Sequence, residues 1–464
     1  MNRVLSPAAV DARSAPRASA CPSLARIVAA RDGGLCRIKL PGGELHARDA
    51  VAVAQAADLH TAGIVELTNR ANLQLRGVRA GHETSLVAAL MQTGPGTQDP
   101  NNAHADERRN VMTSPLAGRD PQALDDTRPL AAALLSRLQR EPRFAALSPK
   151  FALMLDGGER LMAVDHPHDV WFSAMDSAVG DADRARYAVG LAGCPLSVPG
   201  SALASVAAAD LPVFVEALLH TFLDVSGSDD TRMRDVLASY DASALLQRAA
   251  ERADIALHDD PAVAAWTRAP ASPSLRVGAH RQRDSKLSHV GGQPALGRLD
   301  TCTLVKLAAL VSEHGNGTLH VTPWQSVLIP DVADDAVPAV LDSLRALGLA
   351  CEPSHPYVRL IACAGSTGCT KSAADTKADA LHLATLLPDT SADDAVHLSG
   401  CPRSCAAAHC APHTLLATAP GCYDLYQRAS VGGADRFGIP IAHHLTIEQA
   451  AALLARPSRS HTDA

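Results

Sequence analysis

Apolar residues alternate with polar ones through Val65, Leu67, Leu73 and Leu75, and the alternation returns through Leu319, Val321, Val327 and Ile329. A period of two on both sides of a polar turn predicts a β-hairpin. Ahead of the second hairpin, Leu304, Leu307, Ala308 and Val311 recur at helical spacing. Each copy therefore reads as a helix followed by a hairpin, with one more strand in front. In the first copy that strand is residues 36–40, before the turn Pro41-Gly42-Gly43.

The two copies register at an offset of 254, which puts His60 on His314, Gly63 on Gly317, Thr68 on Thr322 and Val78 on Val332. A shorter second match runs at an offset of 250, with Arg109-Asn110-Val111 over Arg359-Leu360-Ile361 and Gly118 over Gly368. Thr113 then meets Cys363 and Arg119 meets Cys369, so one half of a duplicated chain would carry ligands that the other lacks. Polar, Pro- and Gly-rich stretches at 93–108 and 268–297 read as linkers. The expected organisation is a disordered N-terminal extension at 1–22, small repeats at 23–92 and 295–352, and larger lobes at 106–267 and 355–464.

Composition narrows the function. The 464 residues are 47% hydrophobic, enough for a sizeable core, and only 3% aromatic, so Ala, Leu and Val must fill it. With 42 basic against 49 acidic residues the chain lacks the basic excess of a broad nucleic-acid surface, so no nucleic-acid partner is expected. The most apolar stretch, 198–223, is interrupted by Asp210, Pro212, Glu216 and His220, so no membrane span is expected. The first 22 residues lack the apolar core of a secretory signal, which suggests a cytoplasmic protein.

Eleven cysteines without a signal peptide make a poor disulfide framework, and seven of them crowd between Cys351 and Cys422. Cys363-x5-Cys369 is followed after 31 residues by Cys401-x3-Cys405. Two thiolate pairs suit a [4Fe-4S] cluster. Gly365, Gly368 and Gly400 would let the backbone wrap close to it, and residues 371–387 read as a helix carrying the chain from one pair to the other. A structural zinc site is the alternative, but it favours spacers of about two to four residues. His409 and Cys410 could join such a site or belong to a helix after Cys405.

This cysteine pattern in a duplicated chain resembles the sirohaem-containing sulfite and nitrite reductases. The likeness covers most of the chain. It extends to Arg37-Ile38-Lys39-Leu40-Pro41-Gly42-Gly43, to the strand from Leu67 through Thr68, Arg70 and Gln74, to Arg109-Asn110-Val111, and to Pro149-Lys150-Phe151, which looks like the family's lysine strand before Asp156-Gly157-Gly158. The resemblance implies an α+β fold with two ferredoxin-like half-domains and two larger α/β lobes. It also implies a clamp for the carboxylates of a tetrapyrrole at Arg37, Lys39, Arg70, Arg109 and Lys150, with Arg37 and Lys150 acting in catalysis. An acidic protein must cluster its cations locally to hold such a polyanion.

One position departs from the reductases. They carry a second lysine two residues after the first, and here that residue is Ala152. The run from His397 to Ala406, then Ala411-Pro412-His413, Tyr423-Asp424-Leu425-Tyr426 and Phe437-Gly438, is similar to the precorrin-3B synthase branch of the same superfamily. That branch hydroxylates precorrin-3A at C20 with dioxygen and closes a γ-lactone in cobalamin synthesis. It implies a mononuclear non-haem iron, for which His166, His168, His409 and His413 are the candidate ligands. It also implies electrons ultimately from NADH. No G-x-G-x-x-G strand–turn–helix is present, so a separate NADH-linked reductase or a ferredoxin is the expected donor. The alternatives are a sulfite or nitrite reductase with sirohaem, and a non-enzymatic iron–sulfur electron carrier.

Overall fold

The period-two segments form antiparallel strands, and the helical stretch ahead of each hairpin forms a helix. In the first repeat Gly33–Ile38, Leu73–Val78 and Ile64–Leu67 lie side by side, with helix Ala47–His60 packed on them. In the second repeat Leu287–Gly292, Val327–Ala333 and Thr318–Val321 do the same with helix Thr301–His314. Both helices and the first two inner strands of each repeat begin 254 residues apart. This computed structural model describes residues 21–92, 103–176, 185–196, 201–389, 394–407, 409–429 and 436–455. The N-terminal extension read at 1–22 lies outside the described residues up to residue 20.

The outermost strand of each repeat crosses to the other. Glu44–His46 pairs with Thr318–Val321 of the second sheet, and Arg298–Asp300 pairs with Ile64–Leu67 of the first. Leu45 and Leu299 on the exchanged strands are almost fully buried, in one core that also contains Ile38, Val53, Leu304 and Ile329. Neither repeat buries its apolar face alone. The crossing depends on Gly43, at φ 74°, because a Cβ there would stand 2.1 Å from the carbonyl oxygen of Val321.

The larger lobes also repeat. Val111–Met112, Leu153–Asp156, His168–Ala174, Arg186–Gly193 and Ala204–Ala207 form a sheet with two parallel pairings followed by two antiparallel ones. Leu360–Ala362, Val396–Ser399, His413–Ala419, Cys422–Gln427 and Ile439–Leu445 follow the same order. The helix expected over 371–387 is shorter, Thr376–Leu386. The Asp375 carboxylate caps it by accepting from the Ala378 N–H, and Ala373 instead donates to the Gly400 carbonyl. The apolar stretch at 198–223 contributes strand Ala204–Ala207 and most of helix Leu211–Val225. No helix among the described residues is long and apolar enough to cross a membrane.

The two lobes differ where the offset of 250 puts Arg119 against Cys369. Arg119 makes a two-pronged ion pair with Asp331 of the second half-domain. Beside it Leu116, Leu161 and Leu328 pack together with Trp324 against them.

Acid should weaken this fold. Burial holds His168, His320 and His397 down at about 3 and His289 at about 4. In the unfolded chain each titrates near its ordinary value of about 6.5. Between these limits the unfolded chain binds more protons than the folded one, so stability is full above about pH 6.5 and is lost as pH falls. Four such groups give a slope of up to about 5 kcal/mol per pH unit near pH 5. Urea unfolding at pH 7.5 and pH 5 measures this, and equal midpoints would show that these histidines are not buried neutral.

Candidate functional site

Two parallel neighbouring strands, Leu360–Ala362 and Val396–Ser399, end side by side, with Ala362 opposite Leu398. Cys363 follows the first strand, and Cys401 follows the second after Gly400. The pairs are therefore brought together by sheet topology, although 31 residues separate them in sequence. The Gly400 N–H donates to Cys363 Sγ at 3.3 Å, and Thr376 Oγ1 lies 3.3 Å from the same sulfur. A Cβ on Gly400 would stand 1.7 Å from Ser372 Oγ, so the backbone there has room for no side chain.

All four thiols line one open cleft of about 1580 Å³, solvent at its mouth included. Burial and then the other three cysteines push the Cys405 thiol up. Repulsion among gathered thiolates is relieved by binding metal. Four sulfurs about 2.3 Å from one tetrahedral ion would stand about 3.8 Å apart. Among the described residues no three of these thiols come within 4.8 Å, and only Glu141, Glu216 and His220 offer three donor atoms that close. Four thiols brought to one cleft match the ligand count of a [4Fe-4S] cluster.

The facing wall comes from the first half-domain. On strand Gly33–Ile38 the side chains of Cys36 and Ile38 are buried in the core, and Arg37 between them faces the cleft. Arg37 Nη2 donates to Gln74 Oε1 at 3.1 Å, and Gln74 donates to Glu66 at 3.1 Å. Glu66 is held in turn by Lys377 at 3.5 Å and Arg298 at 3.6 Å. Arg76 grips Asp32 with two hydrogen bonds and donates to the Gly368 carbonyl at 2.6 Å, tying the first cysteine loop to the sheet. Asn69 reaches the Cys405 carbonyl at 3.4 Å.

The five cations expected as a clamp are distributed over different surroundings. Arg37 lines the large cleft. Arg70 and Arg109 line a small crevice, with room for about one water molecule, together with Asn72, Ala152 and His168. Burial, then Arg232, lowers Arg70 to about 10. Among the described residues neither Arg37 nor Arg70 has a carboxylate within 4.0 Å. Arg109 contacts Asp106 at 2.8 Å and the Lys39 carbonyl at 2.9 Å. The Lys39 ammonium sits on the carbonyls of Glu107 and Pro149, and burial lowers it to about 8. Lys150 is exposed on a turn, because Ser148 accepts from the Lys150 and Phe151 N–H groups and the strand starts only at Leu153. It lines neither cavity, so the expected strand placement of Lys150 is corrected. The cleft also holds Arg76, Lys371, Lys377 and Arg403, which the sequence reading missed. Arg76 lies two residues from Gln74 on one strand face, and Lys371 and Arg403 each lie two residues after one of the four gathered cysteines.

His166 and His168 are buried with ring centroids 5.0 Å apart, and burial lowers both. His409 Nε2 lies 3.9 Å from Asp165. His413 opens strand His413–Ala419. No three of these four bring donor atoms within 4.8 Å. The expected mononuclear iron therefore finds no converged ligand set among them.

The cluster assignment is tested by iron and sulfide analysis after anaerobic purification. Cys363→Ser, Cys369→Ser, Cys401→Ser or Cys405→Ser should each remove the cluster signal, whereas Cys194→Ser should leave about four irons per chain. Gly400→Ala should also lower iron content, through its collision with Ser372. A fully loaded Cys401→Ser protein would rule the assignment out.

Comparison with known proteins agrees with this architecture. Residues 29–92 and 280–347 match the nitrite/sulfite reductase ferredoxin-like half domain, and residues 104–257 match the nitrite and sulphite reductase 4Fe-4S domain. That second match falls on the lobe whose one cysteine is Cys194; the four gathered thiols lie in its partner lobe. The chain is 27% identical over 400 residues to a chloroplastic ferredoxin–nitrite reductase of Zea mays, covering 80% of this chain and 67% of that one. It spans 64% of the corresponding rice enzyme. It is 30% identical over 419 residues to a precorrin-3B synthase of a Sinorhizobium species, covering 90% and 84%. The NirA protein of Mycobacterium tuberculosis has the same fold, with a TM-score of 0.74 at 22% identity over 91% of this chain and 80% of that one. With matching half-domains in both repeats and a relative aligned along nine-tenths of its length, the chain belongs to the nitrite and sulfite reductase family.

Proposed function

We propose that this protein is an oxygen-dependent tetrapyrrole hydroxylase of the precorrin-3B synthase type, converting precorrin-3A at C20 with γ-lactone formation. The observation that carries this reading is Ala152. Its buried methyl group lines the cavity beside Arg70 and Arg109, at the position where the reductases have a second lysine. A methyl group cannot donate a hydrogen bond or offset charge on a bound sulfite. Losing one preorganised cationic donor typically lowers a rate about 10²–10³-fold. The likeness to the Sinorhizobium precorrin-3B synthase supports the assignment by its identity and by its coverage of both chains.

In this reading Arg37 and Arg70 bind substrate carboxylates, since both are half-buried cations with no carboxylate within 4.0 Å among the described residues. Arg109 is oriented by Asp106, and Lys39 ties the strand carrying Arg37 to the loops of the adjoining lobe. A [4Fe-4S] cluster held by Cys363, Cys369, Cys401 and Cys405 would supply single electrons. Arg76 and Asn69 hold the cysteine loops against the substrate wall. A ferredoxin-class protein fits as electron donor, with Lys371 and Arg403 as cations at the cleft. The second reading, a sirohaem-dependent sulfite or nitrite reductase, is favoured by the reductase relatives and would show sirohaem absorbance in the purified protein.

Two measurements test the proposal. Each charge-assisted contact is worth about 1.5–3 kcal/mol, so Arg37→Ala and Arg70→Ala should each weaken tetrapyrrole binding about tenfold or more with iron content intact. Unchanged affinity at low salt would place the substrate elsewhere. Under labelled oxygen gas, mass spectrometry should find the label in the new hydroxyl group, with negligible sulfite reduction. Hydroxylation without oxygen, or sulfite reduction at a comparable rate, would reverse the order of the two readings.

A further inference from the structure

Four side chains form a row across the sheet of the first half-domain. Arg37 stands opposite Gln74, Gln74 opposite Glu66, and Glu66 opposite Arg298 on the exchanged strand. The first three line the cleft. Arg37 Nη2 donates to Gln74 Oε1 at 3.1 Å, and Gln74 Nε2 donates to Glu66 Oε2 at 3.1 Å. The other oxygen of Glu66 lies 3.5 Å from Lys377 Nζ and 3.6 Å from Arg298 Nε. Lys377 is the second residue of helix Thr376–Leu386, and the Thr376 hydroxyl donates to the Cys363 carbonyl at 3.1 Å. One carboxylate is thus tied to the first half-domain, to the strand lent by the second, and to the helix behind the first cysteine loop.

Two facts make this carboxylate unexpected. Glu66 is 7% exposed on the wall of a cleft whose proposed ligand carries carboxylates of its own. As a ligand contact it would only repel. Nor does the sheet require it, because the second repeat builds the same strand order and register with other residues. The four equivalent positions there hold Gly291, Leu328, His320 and Glu44. The Leu328 side chain can make no hydrogen bond, so that row carries no ladder.

The donors and acceptors of the ladder supply its purpose. A primary amide has an acceptor end and a donor end, a guanidinium only donates, and a carboxylate only accepts. With Glu66 at the NH2 end, the amide oxygen must face Arg37. Turned over, the amide would set donor against donor at Arg37 and acceptor against acceptor at Glu66. Glu66 therefore fixes the sense of Gln74, and Gln74 holds Arg37 through Nη2. We propose that Glu66 is a positioning residue for the anionic substrate, fixing the Gln74 amide so that Arg37 presents its guanidinium to a carboxylate in the cleft. Lys377 and Arg298 offset the charge of Glu66. With Arg37 the group counts three cations against one carboxylate, and it remains attractive to an anion. The inference rests on the proposed function in taking Arg37 as a substrate-binding cation.

The test separates the two. Cluster-loaded wild-type protein is first titrated anaerobically with precorrin-3A and with sirohaem, followed by absorbance, and the tighter ligand decides between the two readings of the function. Variants are then compared on that ligand. Glu66→Gln keeps the size of the side chain but can turn either end to Gln74, and it should weaken binding about tenfold. Gln74→Leu, which installs the residue of the twin strand at the same register, should do so by a similar factor. Iron content should match wild type in both. In an Arg37→Ala background Glu66→Gln should cost less than about twofold more, because residues acting through one another are not additive. Unchanged affinity in Glu66→Gln, or a tenfold loss that persists without Arg37, would overturn the proposal. Crystal structures of the cluster-loaded wild-type and Glu66→Gln proteins test it without any ligand. The bond from Arg37 to Gln74 should be present in the first and lost in the second. A bond kept in both, or absent from both, would overturn the role of Glu66 whichever tetrapyrrole binds.

Discussion

The exchange of one strand between the two repeats is the constraint on which the rest of this structure depends. Glu44–His46 and Arg298–Asp300 each complete the other repeat's sheet, so the half-domains cannot separate without opening a shared core. A half-domain of this size is marginal by itself, because it buries only a modest share of its apolar surface. Fusion through exchanged strands solves that problem and fixes the relation of each half-domain to the lobes. The wall bearing Arg37, Gln74 and Arg76 is thereby presented to the cysteine loops at a defined distance.

Charge then explains why the cleft lies between those two walls. The four thiols on one side raise the cost of ionising one another, and on the other side Arg37 faces the cleft without a carboxylate, whereas Arg76 is paired with Asp32. The bonds that do cross the cleft, from Arg76 to the Gly368 carbonyl and from Asn69 to the Cys405 carbonyl, use backbone oxygens. They join the walls without neutralising either.

The sequence was informative where structure follows from local spacing. Alternation at Val65, Leu67, Leu73 and Leu75 needs only neighbouring residues to declare a hairpin, and the offset of 254 carries through helices and inner strands alike. The cysteine spacing was legible for the same reason. Strand exchange was not, since three-residue strands carry almost no period and their partners lie about 250 residues away. Lys150 was misplaced because the turn at Ser148 and Pro149 overrides the strand that Phe151 and Ala152 suggest. Arg76 was missed because a cation on a β-strand has no local signature until its partner, the carbonyl of Gly368, is known.

The pair of Arg119 and Asp331 has a consequence for the whole molecule. It occupies the twin of the cysteine wall, and Leu116, Leu161, Leu328 and Trp324 fill the space beside it. The backbone is two-fold in plan, yet the place that holds cysteines in one half holds a salt bridge and packed leucines in the other. Duplication has thus produced two frames of one plan with unlike fillings, four thiols over an open cleft in one and an ion pair with an apolar plug in the other.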